Sequence, residues 1–289
     1  ATRNVRPGRE TTEVVWHATR RSPLTLAGGV IVAFFVLVAL VGPILVSQNP
    51  IAQDLARRLA APSYDHLFGT DSLGRDVFSR VIYGARISVV SGITVITVAT
   101  TFGIAAGMLA GWRGGWWDET LMRITDMFLA FPSLVLAMAI SAILRPNLTN
   151  ALLAIAVTAW PVYARIARAQ ALTLRARDYV EAARAEGAKE TTIVARHLIP
   201  NAVAPILVQA TLDIGGIILT TAGLSFIGFG AQPPTPEWGL MVSDGRRFLM
   251  EQWWIATFPA LAIMFLVLGF NLMGDGVRDL LDPRLRKLT

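Results

Sequence analysis

Long uncharged runs alternate with short charged ones along this chain, and the length of the uncharged runs decides the class of fold. Leu24 to Val46 contains no charged residue, and about 20 apolar residues suffice for a helix to cross a bilayer. Predominantly apolar runs recur at about 87–110, 124–144, 148–164, 203–226 and 253–273. The pattern predicts an all-α integral membrane protein with six transmembrane helices. The first run reads as a retained span, because Val46-Ser47-Gln48 offers no small-x-small cleavage site. The second is rich in Gly, Ser, Thr and Ala, which lets backbones approach closely inside a bundle. Pro132 and the Trp160-Pro161 pair predict bends in the third and fourth spans. Asp213 and Gly215-Gly216 predict an interruption in the fifth.

Polar stretches join these spans. Residues 47–86 form the longest, rich in turn formers. Within it, Phe68-Gly69-Thr70-Asp71-Ser72-Leu73-Gly74-Arg75-Asp76 predicts a turn closed by Asx-type side-chain bonds. Val77, Phe78, Val81 and Ile82 then share one face, which predicts an interfacial helix lying on the membrane before the second span starts near Ile87. Asp71 and Asp76 lack the further ligands a cation needs, so no metal site is expected. A later loop, Gln232-Pro233-Pro234-Thr235-Pro236-Glu237-Trp238-Gly239, is stiffened by its prolines.

The most informative polar stretch runs from Asp178 to Pro200. Asp178 suits a helix cap, and Glu181, three residues on, can reach back to the cap's N–H in a capping box. Gly187 suits the left-handed position just past a helix end. Tyr179 to Glu186 is then a helix of about 12 Å at about 1.5 Å per residue, with Tyr179, Val180, Ala182 and Ala183 as its apolar face. A second short helix from Thr191 to Leu198 is expected to stop at Pro200, which has no N–H. Capping chemistry alone would suit a hairpin that only connects two spans. A helix that docks into another protein is the competing reading.

Composition agrees with a membrane class: 54% of residues are hydrophobic and 16% charged. The absence of Cys rules out disulfides, thiol nucleophiles and thiolate metal sites. A net charge of +6 would suit nucleic acid in a soluble protein, but in a membrane protein it reports sidedness. Placing 1–23, the turn after the second span, the loop 165–202 and 275–289 in the cytosol puts 18 of the 26 Lys and Arg residues inside. No Gly-Lys pair occurs, so the chain has no phosphate-binding P-loop. It has no His-Glu-x-x-His and no Gly-x-Ser-x-Gly, and His17, His66 and His197 lie in separate segments, which leaves a hydrolase nothing to work with. Energy for any active transport must come from another subunit. Asp213 is the one carboxylate well inside a span. It reads either as a pathway residue or as a group satisfied by a neighbouring helix.

The spacing Glu181-Ala182-Ala183, three residues, Gly187, nine residues, then His197-Leu198-Ile199-Pro200 resembles the cytoplasmic EAA loop of ABC-importer permeases. Phe68 to Asp76 with Tyr83-Gly84-Ala85-Arg86-Ile87-Ser88 is similar to the C-type permease subunit of dipeptide, oligopeptide and nickel importers. So are Gly223 to Gly230 with the proline-rich loop after it, and Asn271 to Asp279. The resemblance implies a type I ABC importer permease fold: a cytosolic tail 1–23, a first span 24–46, an extracytoplasmic loop 47–86, a core permease domain 87–274 and a cytosolic tail 275–289. It implies coupling to an ATPase through Tyr179, Glu181, Ala182, Ala183, Gly187, His197 and Pro200. It also implies a pathway near Asp213 and Thr221, the latter standing where many relatives carry an acidic residue. Asp71, Arg75, Asp76, Pro233, Pro234, Glu237 and Trp238 would form an extracytoplasmic gate or touch a binding protein.

The implied partners are a homologous B-type permease, two cytosolic ABC ATPase domains that hold ATP and Mg²⁺, an extracytoplasmic solute-binding protein and the lipid bilayer. Nucleic acid is not among them, and this chain would carry no cofactor. The implied place is a bacterial plasma membrane, with both termini cytoplasmic. The implied cargo is di- or oligopeptide, with nickel chelate, glutathione or haem as alternatives, moved by alternating access. A secondary transporter is the distant alternative; it would show inverted repeats and a broken helix pair, and the sequence reveals neither.

Overall fold

The computed structural model describes residues 23–281, so nearly all of the tail expected at 1–23, and residues 282–289 of the one expected at 275–289, lie outside the described residues. The chain is helical throughout: α1 Pro23–Leu45, α2 Val77–Arg113, α3 Gly115–Leu129, α4 Ser133–Ile143, α5 Leu148–Arg175, α6 Asp178–Ala185, α7 Glu190–Ile193, α8 Ile199–Ile227, α9 Trp238–Gly245 and α10 Trp254–Leu281. Among the described residues the only β pairing is an isolated bridge between Thr70 and Asp76. Five helices are long and apolar enough to cross a membrane, and α3 with α4 makes a sixth if the bent pair is one span.

Several local expectations change. The interfacial helix is not separate: α2 runs unbroken for 37 residues from Val77, and Val77 and Val81 point into the core instead of onto a membrane surface. The loop expected over 47–86 therefore ends at Asp76, whose carboxylate caps α2 by accepting from the Ser79 N–H. The bend expected at Pro132 is present and larger than a kink: Pro132 lies in the break between α3 and α4, which meet at 92°. Pro161 is absorbed within α5, which continues to Arg175 and takes the first part of the expected loop 165–202 into the helix. The fifth span is uninterrupted, because neighbouring helices satisfy the features that were expected to break it. Asp213 is hydrogen-bonded, and Gly215 packs against Val267 and Asn271 of α10. α10 extends past 275, so the start of the expected C-terminal tail is helical.

Two buried clusters hold the bundle. One joins α2, α4, α5 and α8 to the 178–200 hairpin; the other joins α1, the start of α2, α8, α9 and α10. α2 and α5 form the most extensive helix pair. Gly103, Gly107 and Gly111, one turn apart, face Tyr163, Ala164, Ala167, Arg168 and Ala171 so closely that a Cβ at any of the three would overlap α5. Such a seam of small residues lets two backbones meet where lipid offers no hydrophobic drive between helices.

Candidate functional site

At one end of the bundle the chain makes a hairpin on the pattern read from the sequence, with different chemistry at its joints. α6 begins after Arg177, with no side-chain cap, so the expected capping box between Asp178 and Glu181 does not form. Both carboxylates lie instead in the first helical turn, where the helix dipole favours negative charge. Gly187 ends the helix at φ +82°, and its N–H donates to the Arg184 carbonyl. That conformation is open to glycine at little cost. The second arm is not a helix stopped by Pro200. α7 passes into a π-helical segment, Val194–Leu198, and then into α8, so Pro200 lies in the first turn of α8 and the helical run continues through it.

The hairpin presents Glu181, Ala182, Gly187 and Pro200 to solvent, with Tyr179 exposed and His197 half-buried 6.0 Å from its ring. Val180, Ile193 and Leu198 are fully buried beneath it and anchor both arms to the bundle. The Glu181 side chain makes no hydrogen bond or ion pair among the described residues. The geometry is a short helix held from below with its outer face free.

Asp213 lies on α8, half-buried, and is paired from two sides. Tyr163 Oη on α5 donates to one carboxylate oxygen at 2.6 Å, and Gln209 Nε2 donates to the other at 2.9 Å. No local signal marks Tyr163 as its partner, since it sits 50 residues away. Thr221 is buried, and its hydroxyl donates to the Ile217 carbonyl one turn back.

At the opposite end, residues 47–76 and 229–248 fold into a cap. Asp71 is buried there: its Oδ2 accepts from Arg75 Nε at 2.6 Å and lies 3.7 Å from Arg80 Nε. Arg80 is also fully buried and donates to the carbonyls of Pro50, Pro234 and Thr235, tying two distant chain segments to the first turn of α2. His66 Nδ1 meets Asp76 Oδ1 at 2.9 Å. Glu237 caps α9 by accepting from the Leu240 N–H, and burial pushes its carboxyl above the usual carboxylate range. Burial likewise raises Asp244, against the opposing pull of Arg75 and Arg80. Trp238 is completely buried, packs over Gly84 and donates its indole N–H to the Val81 carbonyl at 2.9 Å.

Of the residues assigned to this end, Asp71, Arg75, Asp76, Glu237 and Trp238 are therefore internal, and only Pro233 and Pro234 reach the surface. A binding protein cannot touch the five buried ones in this conformation. Arg80, Gly84 and His66 were not read from the sequence as parts of the cap. A lone glycine in an otherwise large-residue turn of α2 was the one available sign of a close approach at 84.

This arrangement of spans is that of an ABC importer permease. The inward-facing MetNI methionine ABC transporter shares the fold with a TM-score of 0.55 at 19% identity, over 70% of this chain and 97% of that one. Residues 103–287 match the binding-protein-dependent transport system inner membrane component family, and residues 12–62 match the N-terminal TM domain of oligopeptide transport permease C. The chain belongs to the binding-protein-dependent transport system inner membrane component family and is a permease subunit, not the ATPase.

Among its relatives is the dipeptide transport system permease protein DppC of Alkalihalophilus pseudofirmus, 46% identical over 92% of this chain and 88% of that protein. The probable D,D-dipeptide transport system permease protein DdpC of Escherichia coli is also 46% identical, over 97% and 95%. The glutathione transport system permease protein GsiD of Escherichia coli is 41% identical over 94% and 90%. The break between α3 and α4 falls at Pro132, where a bend was expected, and the family match decides against a secondary transporter.

Proposed function

We propose that this chain forms one half of the membrane pathway of an ATP-driven importer of short peptides, and that the 178–200 hairpin is where the ATPase acts on it. The observation that carries the reading is the hairpin itself: an eight-residue helix with a free outer face, closed by a left-handed glycine and anchored by buried Val180. The docking residues would be Tyr179, Glu181, Ala182, Ala183, Gly187, His197 and Pro200. Support for peptide cargo comes from the names of the relatives, and glutathione is itself a short peptide, so both kinds of relative favour the same cargo class.

The remaining parts follow from this reading. A homologous permease supplies the other half of the pathway, two ATPase domains hold ATP and Mg²⁺ in the cytosol, and a binding protein delivers peptide to the cap. The basic residues around the hairpin and near both ends of the chain favour a cytosolic position for those parts, in a bacterial plasma membrane. ATP-driven movement of the hairpin then rocks the spans between two packings. Asp213 lies beside this path with Tyr163 and Gln209 holding its orientation.

Because the chain has no Cys, single thiols test the sidedness cleanly. An impermeant thiol reagent applied to intact cells is expected to label Tyr64→Cys, at a fully exposed site on the cap, and to leave Thr191→Cys unlabelled. The complex purified through a tag on this chain should bring ATPase subunits and, when reconstituted with its binding protein, accumulate dipeptide. Outside labelling at 191, or purification without any ATPase, overturns the reading.

A further inference from the structure

Beyond the surface that docks an ATPase, something must carry the movement of the hairpin to the far end of the bundle. α2 spans that distance: at about 1.5 Å per residue, its 37 residues make a rod of about 55 Å. One end of the rod is built into the cap. Asp76 caps it, Arg80 ties it to two distant chain segments, and Gly84 lies under Trp238. The other end reaches the hairpin. There the Arg184 guanidinium of α6 sits over the Trp112 ring, 4.8 Å from its centroid. Arg184 Nε also donates to Glu190 Oε1 of α7 at 3.2 Å, so a single side chain joins both arms of the hairpin. Arg175, at the end of α5, donates to the Gly111 carbonyl at 3.1 Å, one residue away. Two cations thus converge on the last turn of α2, where the helix dipole and unpaired carbonyls favour positive charge.

We propose that Arg184 is a positioning residue for coupling: its seat on Trp112 passes the movement of the docking helix into α2, which carries it to the cap. The inference rests on the hairpin being the ATPase-driven element. It is distinct from the docking surface in the contact it uses: the Arg184 guanidinium, itself still exposed to solvent, rests on the Trp112 ring of α2, and Arg184 is not one of the docking residues. The hairpin is also linked covalently to α5 and, through the π-helical segment, to α8. The Arg184–Trp112 contact adds a link to α2, a second continuous helix that reaches from the hairpin to the cap and whose first turns are built into it.

The test uses the whole complex purified through this chain, with a reporter thiol at Thr235→Cys on the cap loop. In the otherwise native background, ATP with vanadate is expected to change the labelling rate of that thiol. Arg184→Ala and Trp112→Ala should each reduce this change about threefold or more, while ATPase subunits still copurify and the thermal unfolding midpoint stays in place. Arg184→Lys, which keeps a cation over the ring, should restore most of it. The double variant Arg184→Ala with Trp112→Ala should be no worse than either single one, because both remove the same contact.

An unchanged response in Arg184→Ala, or additive losses in the double variant, overturns the relay and leaves the hairpin as docking element intact. Loss in Arg184→Ala with a normal Trp112→Ala also overturns it, since Arg184 would then act on the ATPase directly. No response to nucleotide in the background protein, with ATPase bound, overturns the relay and the reading of the hairpin together.

Discussion

The cap and the hairpin sit at opposite ends of the same helices and are built in opposite ways. In the cap the polar groups are buried and interlocked: Asp71, Arg75, Arg80, Asp76 and Glu237 are all inside and all have partners. In the hairpin they are outside. Neither short helix has a side-chain cap, the second arm is distorted into a π-helical segment, and the ion pair between Arg184 and Glu190 is exposed on both sides. A buried charge network holds one arrangement, because each partner left alone is costly. An exposed hairpin anchored by a few apolar side chains can shift at small cost, and π-helical segments often mark functional positions. The difference suits a subunit that receives force at one end and must keep its shape at the other.

The largest expected effect breaks the cap. Asp71→Ala would leave Arg75 and Arg80 buried without their shared carboxylate, a loss of about 3–5 kcal/mol when one partner of a buried pair is removed. The thermal unfolding midpoint of the purified complex should fall steeply, with ATPase binding lost only as the fold is lost. A midpoint close to wild type would show that the cap can open to water, and that its contrast with the hairpin is overstated.

A smaller effect is expected at the joint between cap and rod. A Cβ at Gly84 would overlap the Trp238 indole, and forcing extra carbons into a packed site costs about 1–3 kcal/mol. Gly84→Val should therefore lower the unfolding midpoint, and Trp238→Leu in the same chain should recover part of the loss. No recovery would mean that the indole hydrogen bond to Val81, which the second change also removes, matters more than the space.

How much of this could be read beforehand depends on the range of the forces involved. Span positions were legible, because apolar length is a local property and α1 ends within a residue of the expected 24–46. So was Gly187, since only the backbone of its own turn demands φ +82°. The cap was not. Asp71 and Asp76 stood out as turn residues, but their partners Arg80 and His66 belong to other segments, and Trp238 finds Gly84 across 154 positions of sequence. Proline was harder to read for the same reason: Pro132 lies at a break wider than a kink, while Pro161 is carried inside α5. The capping box failed because Asp178 enters the helix one position early, leaving Arg177 at the cap.

The hairpin gives a smaller expected effect on stability and a separate one on assembly. Nothing lies within 4 Å of a Cβ at Gly187, so the cost of a side chain there is backbone strain alone, about 1–3 kcal/mol for a residue forced into the left-handed region. In an exposed hairpin that strain relaxes locally. Gly187→Val should thus reduce copurification of the ATPase while leaving the unfolding midpoint of the spans nearly unchanged. Gly187→Asn, which tolerates positive φ better, should recover binding. Equal loss in both variants would point to the space above Gly187 being filled by the ATPase, and would replace strain with contact as the reason for the glycine.

The smallest expected effect is also the one whose sign is most diagnostic of the cap. Burial raises the Glu237 carboxyl above its usual range in the folded state, against about 4.3 for an unperturbed glutamate. The folded protein therefore holds this proton more tightly than the unfolded chain. Its contribution is fully present below the unfolded value and declines as pH rises through the raised folded value. Gln cannot titrate, yet its side-chain oxygen can still accept from the Leu240 N–H that Glu237 binds at 2.8 Å.

Glu237→Gln should thus flatten the fall in unfolding midpoint as pH rises above the usual glutamate range and leave the variant at least as stable as wild type at the alkaline end of that fall. Asp244 is shifted in the same direction, so a reduced slope should remain. If the Gln variant were instead less stable across the whole range, Glu237 would be acting as a charge. The cap would then hold a carboxylate that burial disfavours, kept for something other than stability, and the division between a rigid end and a working end would have to be redrawn.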